Sequence, residues 1–404
     1  TMANNQKKIL MLGGLRYLIP VIQAAHELGY YVITCDYLPH NVAHKYADEY
    51  HNISITDKNA VLELAKELKI NGIMSFAVDP GVLTAAYVCD KLGLPGNPYT
   101  SVQILQNKAL FRSFLEKNGF NTPKSRGYNS IEEALSDIES FQWPIIVKPV
   151  DSAGSKGVSR IDKTTDLEKA ITHALKNSFS HRFIVEEFIE QQGYSSDSDA
   201  FSINGELKFI SFSDQYFDNK ATNPYTPSAY SWPSSMLDRN REFLSSEVQR
   251  LLQLLHMNTS IYNIETRVGT DGKAYIMEVS PRGGGNRLSE MLRYATETDL
   301  IKNAVRAAVG EIIPPIAPCV YNGYWSEIIL HADKTGIFKD IQIEQNMKEN
   351  HIIETDLWVQ PGDLIHSFNG ANDAIGTLVV SFNNEQQQHK MMSCINSWVK
   401  IITE

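Results

Sequence analysis

Residues 262–285 read YNIETRVGTDGKAYIMEVSPRGGG, two runs that alternate in polarity on either side of an Asp271-Gly272 pair. Asp-Gly between alternating runs is a strong hairpin signal. With Asp271-Gly272 as a two-residue loop, Thr270 faces Lys273, and the register sets Glu265 directly opposite Glu278. Arg267, Ser280 and Arg282 fall on the same face, while Tyr262, Ile264, Val268, Tyr275, Met277 and Val279 form an apolar back. Opposed carboxylates with Cβ atoms about 5 Å apart repel, and magnesium between them is the natural complement. On the hairpin alone, solvated charges compensated by Arg267 and Arg282 are an equal reading. A one-residue bulge at the turn would also undo the 265/278 pairing.

The chain has 404 residues, of which 43% are hydrophobic and 21% charged, enough for two or three ordinary globular domains. A net charge of -10 and a pI near 5.6 speak against nucleic acid or an anionic membrane as the main partner, since both reward a basic surface. Cys35, Cys89, Cys319 and Cys394 show neither C-x-x-C nor zinc spacing and read as reduced thiols. No apolar run reaches the roughly 20 residues of a membrane span, and no signal core follows Lys7-Lys8, so a cytoplasmic protein is expected.

Outward from the hairpin, residues 1–100 alternate strands (KKILMLGG, YYVITCDY, NGIMSFAV) with helices, the signature of a parallel α/β layer. Gly13-Gly14 lacks the G-x-G-x-x-G spacing, which argues against a nicotinamide dinucleotide. Leu94 to Pro98 marks a boundary, and one helix is expected from Ser101 to Asn118, carrying Lys108. Ile145 to Lys148 and Val158 to Ile161 read as strands around the loop Asp151 to Gly157. That loop includes Ser152, Ala153, Gly154 and Ser155, and its backbone N–H groups with Lys148 could close over phosphates. It is not a Walker loop. The strand RFIVEEFI ends in Glu186-Glu187-Phe188-Ile189, a hinge or an ordinary edge. A second hairpin turns at Asn204-Gly205, residues 214–236 read as a long loop, functional or mobile, and a helix over 240–257 leads back to the acidic hairpin. Beyond IPPIAP come antiparallel strands and a closing helix over 386–401.

In this order, a helix lysine, a strand lysine, a glycine-rich hairpin, an acidic hinge and paired glutamates ending in Glu278-x-Ser280-Pro281-Arg282 resemble the ATP-grasp superfamily. The likeness is greatest to carboxylate-amine ligases related to the carbamoyl phosphate synthetase large subunit and the purine-pathway carboxylases. It spans roughly residues 100–310. The implied fold is α/β and α+β: an N-terminal parallel layer (1–100), a two-lobed ATP-grasp domain (101–312, glycine-loop lobe about 122–190) and a small α+β lid domain (313–404). The resemblance implies ATP held by Lys108, Lys148, the loop from Ser152 to Gly157, Glu186, Glu187, Phe188 and Ile189. It implies Mg2+, with Mn2+ as a substitute, on Glu265, Glu278 and Ser280, and catalytic roles for Arg282, Lys148 and Arg267. The implied reaction is ATP-dependent ligation of a small-molecule carboxylate to an amine through an acyl phosphate; homodimers are common among the proteins it resembles, although the sequence itself does not show the oligomeric state. A bicarbonate-phosphorylating carboxylase and a non-catalytic ATP-binding protein are the alternatives. Two departures stand out. Ser280 replaces the usual Asn, with Asn263 opposite it to compensate, and no acid occupies the usual ribose position near Tyr194-Ser195, for which Asp197 or Asp199 could substitute.

Overall fold

The computed structural model describes residues 5–150 and 157–404. Ser152, Ala153, Gly154 and Ser155 of the expected phosphate loop lie outside the described residues. Strands Lys8–Leu12, Tyr31–Asp36 and Gly72–Ser75 are nearly continuous buried apolar runs, as strands covered on both faces must be. With Glu49–Asn52 they form a parallel sheet, in which Lys8–Leu12 lies between Tyr31–Asp36 and Gly72–Ser75. Alternation divides the layer into two cores. Leu10, Leu12 and Ile33 face the helix Lys58–Leu68 side, while Ile9, Met11 and Val32 pack into a core that runs on through Leu288, Met291 and Leu292 to Tyr230, Trp232 and Val379. A single apolar core therefore joins the first, middle and last thirds of the chain.

Ser125–Tyr128, Phe183–Glu187, Ile145–Pro149 and Ser159–Ile161 make a four-stranded antiparallel sheet in that order. A second antiparallel sheet runs Glu206–Ile210, Ser196–Ile203, Ser260–Val268, Ala274–Ser280. The tip of the acidic hairpin meets the end of the hinge strand, where Gln192 N–H bonds the Val268 carbonyl and Thr270 N–H bonds that of Glu190. The remaining strands form a five-stranded and a three-stranded sheet. This mixed α/β and α+β architecture is the expected fold class.

Three local expectations are corrected. The helix over 101–118 breaks into Tyr99–Gln106 and Lys108–Lys117, because the Asn107 side chain accepts the Leu110 N–H and starts a new helix. The stretch 214–236 is not a loop throughout. Asp214–Phe217 and Pro227–Trp232 are strands that pair with each other, and Pro227–Trp232 pairs in turn with Tyr324–Leu330, carried into the C-terminal sheet by the fully buried Tyr230 and Trp232. The last helix ends at Met392, and Val399–Thr403 is a strand that closes on Gly336–Ile343.

The acidic hairpin differs from its expected form twice, and the two differences cancel. Val268 pairs with Ala274 and Gly269 N–H bonds the Lys273 carbonyl, so the turn holds Thr270, Asp271 and Gly272 rather than two residues. A bulge at Met277 then restores the count, and Glu265 faces Glu278. Between turn and bulge the alternation is inverted. Ala274 and Ile276 join Tyr262, Ile264, Val268 and Val279 in the core, whereas Tyr275 turns its hydroxyl to Asp271 and Met277 is half-buried at the bulge.

Candidate active site

Glu265 occupies the middle of a cross-strand row, with Glu278 opposite it on one neighbouring strand and Asp197 on the other. Burial and the Glu278 charge push the Glu265 carboxyl up to about 7, against the pull of Arg267, Arg282 and Lys108. Burial and Glu265 together hold Asp197 well above the ordinary carboxylate range. In the next row Asn263 stands between Ser280 and Asp199. Its amide nitrogen donates to Asp197 Oδ1 at 2.6 Å and Asp199 Oδ1 at 3.2 Å. Asp199 also accepts from Ser289 Oγ at 2.5 Å and from Gly284 N–H at 3.1 Å. Asp199 is thereby committed to pinning the glycine turn and is not open to a ribose, and Asp197 belongs to the carboxylate row.

The sheet supplies more negative charge than it neutralises internally. Arg282 Nε is 2.8 Å from Asp79 Oδ1, at the start of the helix Asp79–Leu92 from the parallel layer, so its orientation is set from outside the hairpin. Arg267 Nη1 donates to the Ile189 carbonyl at 3.0 Å. Its Nε is buried with no hydrogen-bond partner among the described residues, and burial lowers its proton affinity despite Glu265.

The facing lobe contributes the cations. Lys148 Nζ lies 3.5 Å from Glu186 Oε2, and Arg112 Nε reaches the same oxygen at 3.4 Å. Burial lowers the Lys148 proton affinity, Glu186 opposes the shift, and Lys108 and Arg112 add to it. Burial raises Glu186, but Lys148 and Arg112 outweigh it and hold the carboxyl below its ordinary value. Lys108 is exposed at the first position of its helix, near enough to act on both Lys148 and Glu265. Arg112 was not singled out in the sequence. It stands one helical turn after Lys108, on the same face, which is the signal that could have found it. Its Nη1 is buried without a partner among the described residues. Unsatisfied buried guanidinium nitrogens on both lobes, Arg112 Nη1 and Arg267 Nε, fit a ligand rich in acceptor oxygens.

The hinge residues divide in their roles. Glu187 is spent on the backbone, its carboxylate accepting the N–H groups of Lys124 at 2.9 Å and Gln142 at 2.7 Å, so its side chain is not free for an adenine. Phe188 lies under Arg160, with the guanidinium carbon 4.5 Å from the ring centroid. Ile189 offers its carbonyl to Arg267. Gly157, at the end of the expected phosphate loop, has φ +75°, and a Cβ there would stand 2.7 Å from Pro149 Cγ and 2.9 Å from Asn177 Cβ. Gly157→Ala should therefore cost about 1–3 kcal/mol in urea unfolding. A loss under 0.5 kcal/mol, on the order expected of a neutral surface change, would show that the segment relaxes freely.

Oxygen donors suit a hard divalent cation at the Glu265–Glu278 pair, and Ser280 lies buried beside it. Among the described residues no group of three or more His, Cys, Asp or Glu closes on a metal position. A cation here would complete its shell from phosphate oxygens and water, as magnesium commonly does.

A parallel α/β layer followed by a small antiparallel lobe, whose cations face an acidic antiparallel sheet, defines the structural class. Residues 141–290 match the model of the ATP-grasp domain. It is 23% identical over 299 residues to the carbamoyl phosphate synthase large chain of Thermotoga neapolitana, covering 73% of this chain and 27% of that protein. The chain thus spans about a quarter of the length of the curated relatives it matches. Its fold is that of phosphoribosylglycinamide synthetase from Anaerococcus prevotii, with a TM-score of 0.80 and 23% identity, covering 99% of this chain and 100% of the other. It is also that of the Bacillus licheniformis L-amino acid ligase, with a TM-score of 0.79 and 20% identity over 100% of both chains. The biotin carboxylase domain of the Hydrogenobacter thermophilus 2-oxoglutarate carboxylase, solved with MgADP, ADP and bicarbonate, follows with a TM-score of 0.73 and 18% identity, covering 98% and 91%. No helix among the described residues is long and apolar enough to cross a membrane.

Proposed function

We propose that the protein is an ATP-dependent carboxylate-amine ligase that works through an acyl phosphate. The observation that carries this reading is the opposed pair Glu265 and Glu278 set among cations from other elements, Lys108, Lys148, Arg267 and Arg282. Such a site asks for a polyphosphate. Lys148 and Arg112, joined through Glu186, would hold phosphate oxygens from the small lobe, with Lys108 at the rim. Ile189 and its neighbours at the hinge would meet the base through the backbone. Glu265 and Glu278 would hold Mg2+, with Ser280 alongside, and the ion would supply charge neutralisation on the phosphates. Arg282, fixed by Asp79, is aimed by the parallel layer and would bind the phosphoryl group in transfer or the acyl phosphate. Positioning and electrostatics suffice for such a transfer, and no nucleophilic side chain is required.

In this reading the substrate carboxylate attacks the γ-phosphorus, ADP leaves, and an amine displaces phosphate from the acyl carbon. The three spans 1–100, 101–312 and 313–404 act as a substrate layer, the ATP-grasp domain and a lid. With Mg-ATP and a screen of carboxylate and amine pairs, the products should be ADP and inorganic phosphate, with 18O passing from labelled carboxylate into phosphate. AMP and pyrophosphate would mean adenylation and end this proposal. ATP turnover that needs bicarbonate and no other carboxylate would move the protein to the carboxylases.

A further inference from the structure

Glu327 is 0% exposed, and neither of its carboxylate oxygens has a hydrogen-bond partner among the described residues. Leaving a buried carboxyl unsatisfied on both oxygens costs on the order of the full desolvation of the group, so such a group calls for an explanation. It stands in the middle strand of the C-terminal sheet, with Tyr230 opposite on one side and Val379 on the other. Arg287, close enough to act on it, directs its guanidinium elsewhere, to Thr377 Oγ1 at 2.9 Å and to Glu290 and Glu354 at 3.0 Å.

The surroundings of Glu327 point toward the candidate active site. Tyr17, from the short helical turn Arg16–Leu18 after the first strand, is near enough to interact with Glu327 and donates to Asn286 Oδ1 at 3.1 Å. Asn286 Nδ2 in turn donates to Tyr230 Oη at 3.0 Å. Tyr230 feels both Glu327 and Asp197, and Asp197 faces Glu265. A chain of near neighbours thus leads from the metal pair to Glu327. The turn between them holds two consecutive non-glycine residues in the left-handed region, Asn286 at φ +56° and Arg287 at φ +61°. Backbone strain of that kind clusters where a ligand is gripped.

We infer that Glu327, with Tyr17, Tyr230 and Asn286, is the seat of the ammonium group of the amine substrate. An ammonium brings three N–H donors and takes the place of the carboxyl proton as the compensating positive charge, whereas a hydroxyl or a neutral amide could not balance the carboxylate once that proton had left. The inference rests on the ligase reading, and it narrows that reading to primary amines cationic at neutral pH. The groups that face Glu327 are Tyr17, Tyr230, Arg287, Glu290 and Glu354. Burial and the two glutamates outweigh Arg287 and hold the Glu327 carboxyl well above its ordinary range. Seating an ammonium therefore releases a proton, and affinity rises with pH as the carboxylate becomes available.

The test is calorimetric titration of the full chain with free L-amino acids and short alkylamines, each beside its N-acetylated counterpart, in two buffers of different ionisation enthalpy. Mg-ADP is titrated in parallel. The expected result is binding of an amine but not of its acetylated form, with proton release. Glu327→Gln should weaken it by about tenfold or more, and Glu327→Asp should recover most of the loss. Mg-ADP affinity should stay the same in all three proteins. Equal amine binding by wild type and Glu327→Gln, or no amine bound by a wild type that does bind Mg-ADP, overturns the inference. Amine binding that depends on Glu327 in a protein that ignores Mg-ADP upholds the ammonium seat and sinks the ligase reading instead. If Glu327→Gln fails to fold, the Asp variant and the proton count decide the matter.

Discussion

Glutamine in place of Glu278 is expected to cut turnover by about two to three orders of magnitude while making the metal-free protein more stable. The two effects have one cause. Glu278 faces Glu265 directly, and its charge, after burial, holds the Glu265 carboxyl at about 7 rather than 4.5. Between those values the folded protein binds more protons at this position than the unfolded chain does. Stability of the metal-free wild type should therefore fall as pH rises from about 4.5 through 7 and level off above. The full penalty is on the order of 1–3 kcal/mol; the part that comes from the Glu278 charge is relieved when that residue becomes neutral, while the larger part, from burial, stays. Urea unfolding at pH 5, 6, 7 and 8 with a chelator present should show a sloping wild type and a flatter variant. Added magnesium should stabilise the wild type more at pH 8 than at pH 5, and the variant little at either. Retained activity in Glu278→Gln would refute the paired site. Lost activity with an unchanged pH profile would leave a glutamate needed for catalysis but not strained by its neighbour.

How much of this could be read from sequence depended on whether the partner was local. Glu265 and Glu278 lie on one hairpin, so alternation alone brought them together, even though the turn was a residue longer than its Asp-Gly suggested and the bulge at Met277 restored the count. Lys148 was legible because a short buried strand and a small-residue loop flank it. Asp197 was singled out only as a candidate ribose acid; its place beside Glu265 depends on which strands are neighbours, and nothing in the run SSDSD encodes that. Asp79 and Arg282 are 203 residues apart. Arg112 failed to register for a different reason: a basic residue on an amphipathic helix is usually solvated, and only the buried Glu186, on a strand of the same lobe, makes it otherwise. Asn107 broke a helix that propensity would have continued, because a single side-chain cap offsets the loss of one turn. Glu327 could not be read at all. The apolar run WSEIIL looks like an edge with one polar residue until both flanking strands close over it.

Lys148→Ala is expected to weaken Mg-ATP by about ten- to a hundredfold, since charge-assisted contacts to phosphate are worth roughly 1.5–3 kcal/mol each. The fold should survive for a reason the sequence did not disclose. Glu186, the buried carboxylate that Lys148 compensates from 3.5 Å, keeps Arg112 at 3.4 Å after the lysine is gone. The variant therefore does not orphan a buried charge, the step that makes broken buried pairs so costly. Arg112→Ala should weaken nucleotide less, because Lys148 remains, and the double variant should lose both affinity and stability by more than the sum of the two, since Glu186 is then alone. Glu186→Gln in the double-variant background should restore the stability but not the affinity. That pattern separates a phosphate grip from a structural ion cluster. If Lys148→Ala leaves the Mg-ATP dissociation constant unchanged, nucleotide does not enter between these lobes. If the single variant already unfolds, the Lys148–Glu186–Arg112 set exists to hold the small sheet together, and the unpartnered Arg112 Nη1 must be explained without a phosphate.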